Sequence, residues 1–421
     1  MIPHDAAPPS EAPAGLPLTG MRVLELTHAW AGPLCGMMLA DMGAEVIKIE
    51  SPAQKPEARG GFPYAAGESV IFMMTNRNKK SVAIDIKDER GRQTFLNLVR
   101  TADVLIQNMR PGALDRLGLS YDDVKAVNPR LIYTSLSGYG HTGPDARRAG
   151  VDQVAIAATG LAATTMAHAC DTPVALGAPI CDYVAAMWAC HGTLCAYLAR
   201  GQSGLGQKVD ASLLGAGLSL MIGPTAMFFH TPGYTGYQTW INGPSEFVRA
   251  GDGRFVSVFA SYPALWERLV RVLPDEGLGL DPRFATREQR TKNVVALREA
   301  LNRIFAREPA NYWVELLSSA GVPVSLVRTI GEVLEDPQVI ALEMIQECEH
   351  PAAGTLRVLG VPVRLSATPG SVRRPAPLLG EHTDAVLVQA GMSPEELSEL
   401  RNDDIVGRIH PGEAQRYGAT S

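Results

Sequence analysis

A chain of 421 residues, 46% hydrophobic and 19% charged, is long enough for two domains with sizeable cores. It carries no low-complexity tract and no block of like charge, so extensive disorder is excluded. A net charge of -6 argues against a phosphate-tracking nucleic-acid binder but leaves room for local basic pockets that take a small anion.

Met1 to Gly15 is rich in Ala and Pro and lacks a basic start followed by an apolar run, so it reads as a disordered leader rather than a secretory signal. From Arg22 the pattern is strand (Arg22 to Leu26), helix (Gly32 to Met42), strand (Glu45 to Glu50). The theme continues with a strand over Ser81 to Lys87, a helix over Glu89 to Thr101, and strands over Asp103 to Met109 and Leu131 to Ser137. This alternation predicts a Rossmann-like large α/β domain with a parallel sheet. The apolar helix from Asp182 to Arg200 is interrupted by His191, Gly192 and Thr193 and is too short for a membrane span of roughly 20 apolar residues, so it is expected in the core. The glycines of Gly201 to Gly206 mark a loop.

Phe247 to Phe259 reads as a hairpin turning at Gly251, Asp252 and Gly253, and helical periodicity dominates from there to 345. The predicted organisation is a leader (1–15), a large domain (16–210, rejoined by 365–421), a linker (211–245), a smaller α+β domain (246–345) and a return linker (346–364). The cysteines at 35, 170, 181, 190, 195 and 348 form no CxxC pair and no metal-ligand spacing with the histidines. They read as buried thiols of a reducing, cytoplasmic compartment, with no metal expected.

Gly138-Tyr-Gly140-His-Thr-Gly143 satisfies GxGxxG after a strand, but Pro144 follows the third glycine and no acidic residue ends a second strand about 20 positions later, so a dinucleotide site is rejected. Asp182 is more informative, because it opens an apolar helix directly after Pro179-Ile180-Cys181. One reading is an N-cap, its carboxylate accepting hydrogen bonds from free backbone N–H groups. The other is a nucleophile kept ionised by the helix dipole.

A series of motifs runs in order along the chain: Leu18-Thr-Gly-Met-Arg-Val-Leu-Glu-Leu26, Ala31-Gly32-Pro33, Leu39-Ala-Asp-Met-Gly-Ala-Glu-Val-Ile-Lys-Ile-Glu50, Asn78-Lys79-Lys80-Ser81, Asn108-Met-Arg-Pro-Gly112, Gly143-Pro144, Gly321-Val-Pro323, Asp336-Pro-Gln-Val339 and Arg374-Pro-Ala-Pro-Leu-Leu-Gly-Glu-His-Thr383. In this order, from about Leu16 to Leu387, they resemble the class III CoA-transferases, the group containing formyl-CoA and carnitine CoA-transferases. The resemblance implies an interlocked, ring-like homodimer with no tightly bound cofactor, using coenzyme A as substrate together with acyl-CoA and carboxylate partners; basic residues near the site are compatible with a dicarboxylate such as succinate, and so with succinyl-CoA as donor. It implies that Asp182, in Gly177-Ala-Pro-Ile-Cys-Asp182-Tyr, is the catalytic carboxylate, forming an aspartyl-CoA thioester. The CoA site falls by position on His28, Ala29, Trp30 and Ala31, on Ile84 and Lys87, on Asn108 and Met109, and on Arg116, with Arg148 nearest to a phosphate-contacting lysine. Gly243 and Ser245 occupy the place of a glycine-rich substrate loop, although a plain hinge fits them equally. Taken singly, Lys87 and Arg116 also fit solvated surface charges, and Trp30 a core residue.

Two other readings compete. An α-methylacyl-CoA racemase resembles the same scaffold but needs a second proton carrier, a histidine in a stretch similar to Arg-Ala-Gly-His-Asp, where this chain has Arg148-Ala-Gly-Val151-Asp152. A CoA-binding subunit of a heteromeric transferase would lack the nucleophile that Asp182 supplies.

Overall fold

The computed structural model describes residues 15–54, 59–166, 172–233 and 245–407. The chain divides into two compact units, one of residues 1–163, 173–221 and 341–421, the other of 164–172 and 222–340.

The larger unit opens with β1 (Arg22–Leu26), α1 (Ala31–Asp41) and β2 (Glu45–Glu50). A short hairpin, β3 (Tyr64–Ala65) and β4 (Glu68–Ser69), leads into α2 (Val70–Thr75) and β5 (Lys79–Ile84). Then come α3 (Glu89–Val99), β6 (Val104–Gln107), α4 (Tyr121–Val127), β7 (Ile132–Ser137), α5 (Asp152–Ala158), α6 (Ile180–Ser203), β8 (Lys208–Ser212) and α7 (Leu213–Leu220). The strands pair in the order β5-β2-β1-β6-β7-β8, all parallel, and Val406–Gly407 adds antiparallel to β5. Sequence order reverses on either side of β1, so a crevice opens at the carboxyl ends of β1 and β6.

The strands read as near-continuous apolar runs because helices cover both faces. Val23, Val46 and Val104 pack on one face with Leu39 of α1 and Ala185 and Ala189 of α6. Leu24, Ile47, Val82 and Leu105 pack on the other with Phe95 and Leu98 of α3. Asp88 caps α3 through the N–H groups of Arg90 and Gly91, and Ser120 with Asp123 forms a capping box on α4. Gly204, at φ 74°, ends α6 in the left-handed conformation.

Charge is buried inside this apolar frame. Glu25 of β1 is fully buried, with Lys48 Nζ 2.9 Å from Oε1 and Lys79 Nζ 2.8 Å from Oε2. Lys48 also donates to Thr27 O and Lys79 to Pro33 O, each at 2.8 Å. Burial pushes the Glu25 carboxyl up, but Lys48 and Lys79 more than offset it and hold it below the usual carboxylate range. α1 passes so close that a Cβ on Gly36 would lie 1.9 Å from Glu25 Oε2.

Several elements depart from expectation. The third strand of the sheet spans Lys79–Ile84 rather than Ser81 to Lys87, because Lys79 and Lys80 find carboxylate partners within the fold. β8 joins the sheet at an edge, where KVDAS needs little apolar character. Within the expected linker 211–245 lie α7 and α8 (Ile222–His230), while the tail from His350, which reads as strands, forms a hairpin of Ile345–His350 with Gly354–Leu359. Cys35 and Cys181 are buried, but Cys195 is exposed on α6, against the expectation of buried thiols throughout.

The smaller unit carries an antiparallel sheet in the order Val324–Leu326, Phe255–Phe259, Ser245–Arg249. Gly253 turns the hairpin at φ 83°, and Asp252 accepts from Arg254 N and Ala310 N. Trp313 stacks on Phe305 at 4.6 Å in a helical core.

Replacing Glu25 with Gln leaves two buried lysines facing a neutral partner. We expect a loss of about 3–5 kcal/mol, read from the urea unfolding midpoint.

Candidate active site

Two clefts flank the turn after β1. The first, of about 560 Å³, is walled by His28, Ala29, Trp30 and Ala31, by Asn108 at the end of β6, by Leu136 to Gly138 at the end of β7, and by Asp152, Leu176 to Pro179, Asp182 and Leu213. The second, of about 720 Å³, lies among Leu26 to His28, Ile49 to Ser51, Ile84 to Lys87, Met109, Arg116 and Leu117. His28 borders both. Its backbone is clasped by the Asn108 amide, which accepts from His28 N at 3.0 Å and donates to His28 O at 2.8 Å. Ala29 follows at φ 58°, a conformation unusual for a residue with a Cβ.

Asp182 is half-buried and faces the first cleft. It is the third residue of α6, not its cap: Pro179 occupies the cap position and offers no side-chain hydrogen bond. The start of the helix is satisfied from outside by Asp152, the first residue of α5, whose Oδ1 accepts from Cys181 N at 2.7 Å and Asp182 N at 3.1 Å. The expectation that helix position keeps Asp182 firmly ionised is therefore corrected. Burial, reinforced by the Asp152 carboxylate, pushes the Asp182 carboxyl up to about 7. The same influences, with Asp182 itself added, push the Cys181 thiol up to about 11. His28 is lowered by burial and then by Lys48 and Arg110, which favours its neutral form.

Of the residues proposed from sequence, His28, Ala29, Trp30, Ala31, Asn108 and Asp182 line the first cleft. Ile84, Lys87, Met109 and Arg116 line the second, with Lys87 and Arg116 exposed at its rim. Lys87 stands in the loop beyond the strand, where its N–H donates to Asp85. Trp30 is half-buried: it packs against the edge of the core, lines the cleft and meets Tyr183, next to Asp182 in sequence, at 6.1 Å between ring centroids. Arg148 lines neither cleft and lies exposed over the Tyr139 ring at 5.1 Å, 3.4 Å from Asp145. Gly243 falls outside the described residues, and Ser245 opens the first strand of the smaller unit.

Sequence reasoning missed Asp152 as a site residue, because its partners lie some thirty residues downstream. It also missed a polar chain beneath the crevice. Gln107 accepts from Met109 N at 2.8 Å and donates to Ser135 Oγ, which lies 2.5 Å from His141 Nε2. After β7 the rejected GxGxxG runs into turns rather than a helix, and α5 begins only at Asp152. That loop closes where Gly138 and Gly150 touch, a Cβ on Gly138 falling 2.7 Å from Gly150 Cα.

A crevice at the carboxyl ends of parallel strands, divided between a carboxylate cleft and a cation-rimmed cleft, lies where open α/β sheets carry their ligands. The chain belongs to CoA-transferase family III, which it matches over residues 18–383. It is similar to succinyl-CoA:glutarate CoA-transferase of Mus musculus, at 33% identity covering 90% of this chain and 88% of that protein. It is also similar to succinyl-CoA–D-citramalate CoA-transferase of Chloroflexus aurantiacus, at 33% identity covering 93% and 98%. A CAIB/BAIF family protein from Brucella suis shares the fold at a TM-score of 0.78 and 29% identity, covering 90% of this chain and 100% of that one.

Because its folded pKa near 7 lies above the unfolded value, Asp182 favours folding only while protonated. That contribution is complete below about pH 4 and is lost as pH rises through 7. We expect Asp182→Asn to raise the melting temperature relative to the parent at pH 8, with the difference shrinking toward acid pH in thermal scans.

Proposed function

We propose that this protein, a CoA-transferase by family, moves CoA from an acyl-CoA donor to a carboxylic acid through covalent intermediates on Asp182. The observation that carries the reading is the placement of Asp182 in a cleft whose border residue, His28, also borders a second, cation-rimmed cleft. An acyl-CoA has two parts, and the two clefts match them. The apolar lining and rim cations of the second cleft suit the pantetheine and phosphates of CoA, with Lys87 and Arg116 as phosphate partners. The first cleft, with Trp30 at its wall and Tyr183 packed against that ring, suits the acyl group.

In the first step a carboxylate oxygen of Asp182 attacks the thioester carbonyl, the C–S bond breaks, and CoA leaves as thiolate, giving a mixed anhydride. The thiolate then attacks the Asp182 carbonyl carbon, forming an aspartyl-CoA thioester and releasing the donor's carboxylate. The acceptor carboxylate attacks that thioester, expelling CoA thiolate and forming a new anhydride on Asp182. A final thiolate attack on the acceptor's carbonyl releases the new acyl-CoA and frees Asp182. No water enters the sequence, so energy held in the thioester is conserved.

Succinyl-CoA is the donor we favour, since two relatives at 33% identity bear it in their names, with glutarate and D-citramalate as their partners. We further propose a cytoplasmic, interlocked homodimer. Its support is the exposed apolar side of α6, where Met187, Trp188 and Leu198 are 58%, 50% and 73% accessible, a surface that a second chain would cover. Free cysteines fit a reducing compartment.

One observation favours a racemase-like reading: a carboxyl near pH 7 suits proton transfer. Against it, Val151 carries no proton, and Asp152 is occupied with two backbone N–H groups.

We expect Asp182→Ala to lose CoA exchange by about 10³-fold or more, and incubation with succinyl-CoA and hydroxylamine to leave a hydroxamate on Asp182 in peptide mass spectra. Exchange of the substrate's α-proton with deuterium, without CoA transfer, would support the racemase reading instead. Arg116→Ala and Lys87→Ala should each raise KM for acyl-CoA roughly tenfold with kcat little changed, as for loss of a charge-assisted hydrogen bond.

A further inference from the structure

We infer that Asp152 is the positioning residue of the reaction, holding the backbone of the nucleophile in place while its fixed negative charge drives Asp182 toward its covalent, uncharged forms. The inference rests on the nucleophilic role of Asp182 proposed above. Its first part follows from geometry. α6 begins at Ile180 with no side-chain cap of its own, and a single oxygen of Asp152 accepts the N–H groups of both Cys181 and Asp182. Those two bonds fix the direction in which the Asp182 side chain leaves the helix. Asp152 is itself anchored as the first residue of α5, so the two helix starts are joined at the cleft wall.

The second part follows from charge. Asp182 is anionic before attack and neutral in both the anhydride and the thioester, while the displaced charge leaves on CoA sulfur or on the released carboxylate. A fixed anion beside Asp182 raises the energy of its ionised form and leaves its acylated forms nearly untouched. The group that caps the helix therefore also strengthens the nucleophile. Other groups face Asp182 without competing in this respect near neutral pH. From the turn after β1 come His28, which favours its neutral form, and Trp30; from β6 comes the Asn108 amide; from α7, Leu213. On α6 itself the Cys181 thiol, pushed up to about 11, and the Tyr183 phenol, also raised, stay uncharged.

Two substitutions separate the two contributions. Asp152→Asn keeps an oxygen that can accept both N–H bonds and removes the charge; Asp152→Ala removes both. We expect Asp152→Asn to melt close to the parent, to shift the acid limb of the kcat/KM profile for succinyl-CoA from near 7 to lower pH by about one unit, and to lower the alkaline plateau. The steady-state fraction of Asp182 trapped by hydroxylamine should fall with it. Asp152→Ala should show the same displaced limb together with a lower melting temperature and a further drop in kcat. An acid limb unmoved in Asp152→Asn, with hydroxamate still forming on Asp182 in the parent, would overturn the inference while leaving the nucleophile intact. Absence of any Asp182 adduct in the parent would overturn the nucleophile and the inference together.

Discussion

Everything at the crevice hangs from one buried carboxylate. Glu25 sits in β1 with no access to solvent, a position that is unfavourable for a charge unless partners surround it. Its partners are Lys48 of the adjacent β2 and Lys79 of β5, one strand further on, and each lysine spends a further proton on a backbone carbonyl: Lys48 on Thr27, Lys79 on Pro33. The first carbonyl opens the turn of His28, Ala29 and Trp30, and the second lies in the first turn of α1, which Ala31 begins. Burial and Lys48, against the opposing pull of Glu25, lower Lys79 to about 8, so it remains mostly charged at neutral pH. The turn is thus held from below by charge and from the side by the Asn108 amide, which accounts for the left-handed backbone that Ala29 tolerates.

With the turn fixed, the two clefts acquire different characters from the strands that feed them. β2 and β5 deliver Ser51 and Lys87 to one side, while β7, α5 and α6 deliver backbone turns and two carboxylates to the other. Cations and nucleophile are kept on opposite sides of β1. A lysine or arginine beside Asp182 would lower its carboxyl and weaken it as a nucleophile, whereas burial and Asp152 act in the contrary sense.

Much of this was legible in the sequence. The apolar runs of β1, β2, β6 and β7 identify the parallel sheet, the long apolar helix stands within a few residues of its observed bounds, and the ordered motifs bring His28, Asn108 and Asp182 to one cleft. What escaped had physical causes. Lys79 reads as a strand's exterior until a buried partner is known. β8 is an edge strand whose alternating polar residues carry no core signal. Helix caps are recognised from neighbours in sequence, so a cap supplied to α6 from α5 leaves no local trace. Arg148 resembles a phosphate ligand by position, yet it lies on a loop outside both clefts.

That loop is closed at its base by a pinch, where the backbones of Gly138 and Gly150 touch and Gly138 O accepts from Leu214 N at 3.0 Å, and His141 ties its first residues to Ser135 of β7. A segment closed at its own base is nearly autonomous: doubling its length would add only about 0.6 kcal/mol of closure entropy. Residues 142–149, beyond the His141 tie, can therefore lengthen, shorten or change charge during divergence while the walls on either side of the pinch stay in register. The two glycines act as a splice point, separating a part of the chain free to vary from the α5 cap that must not move.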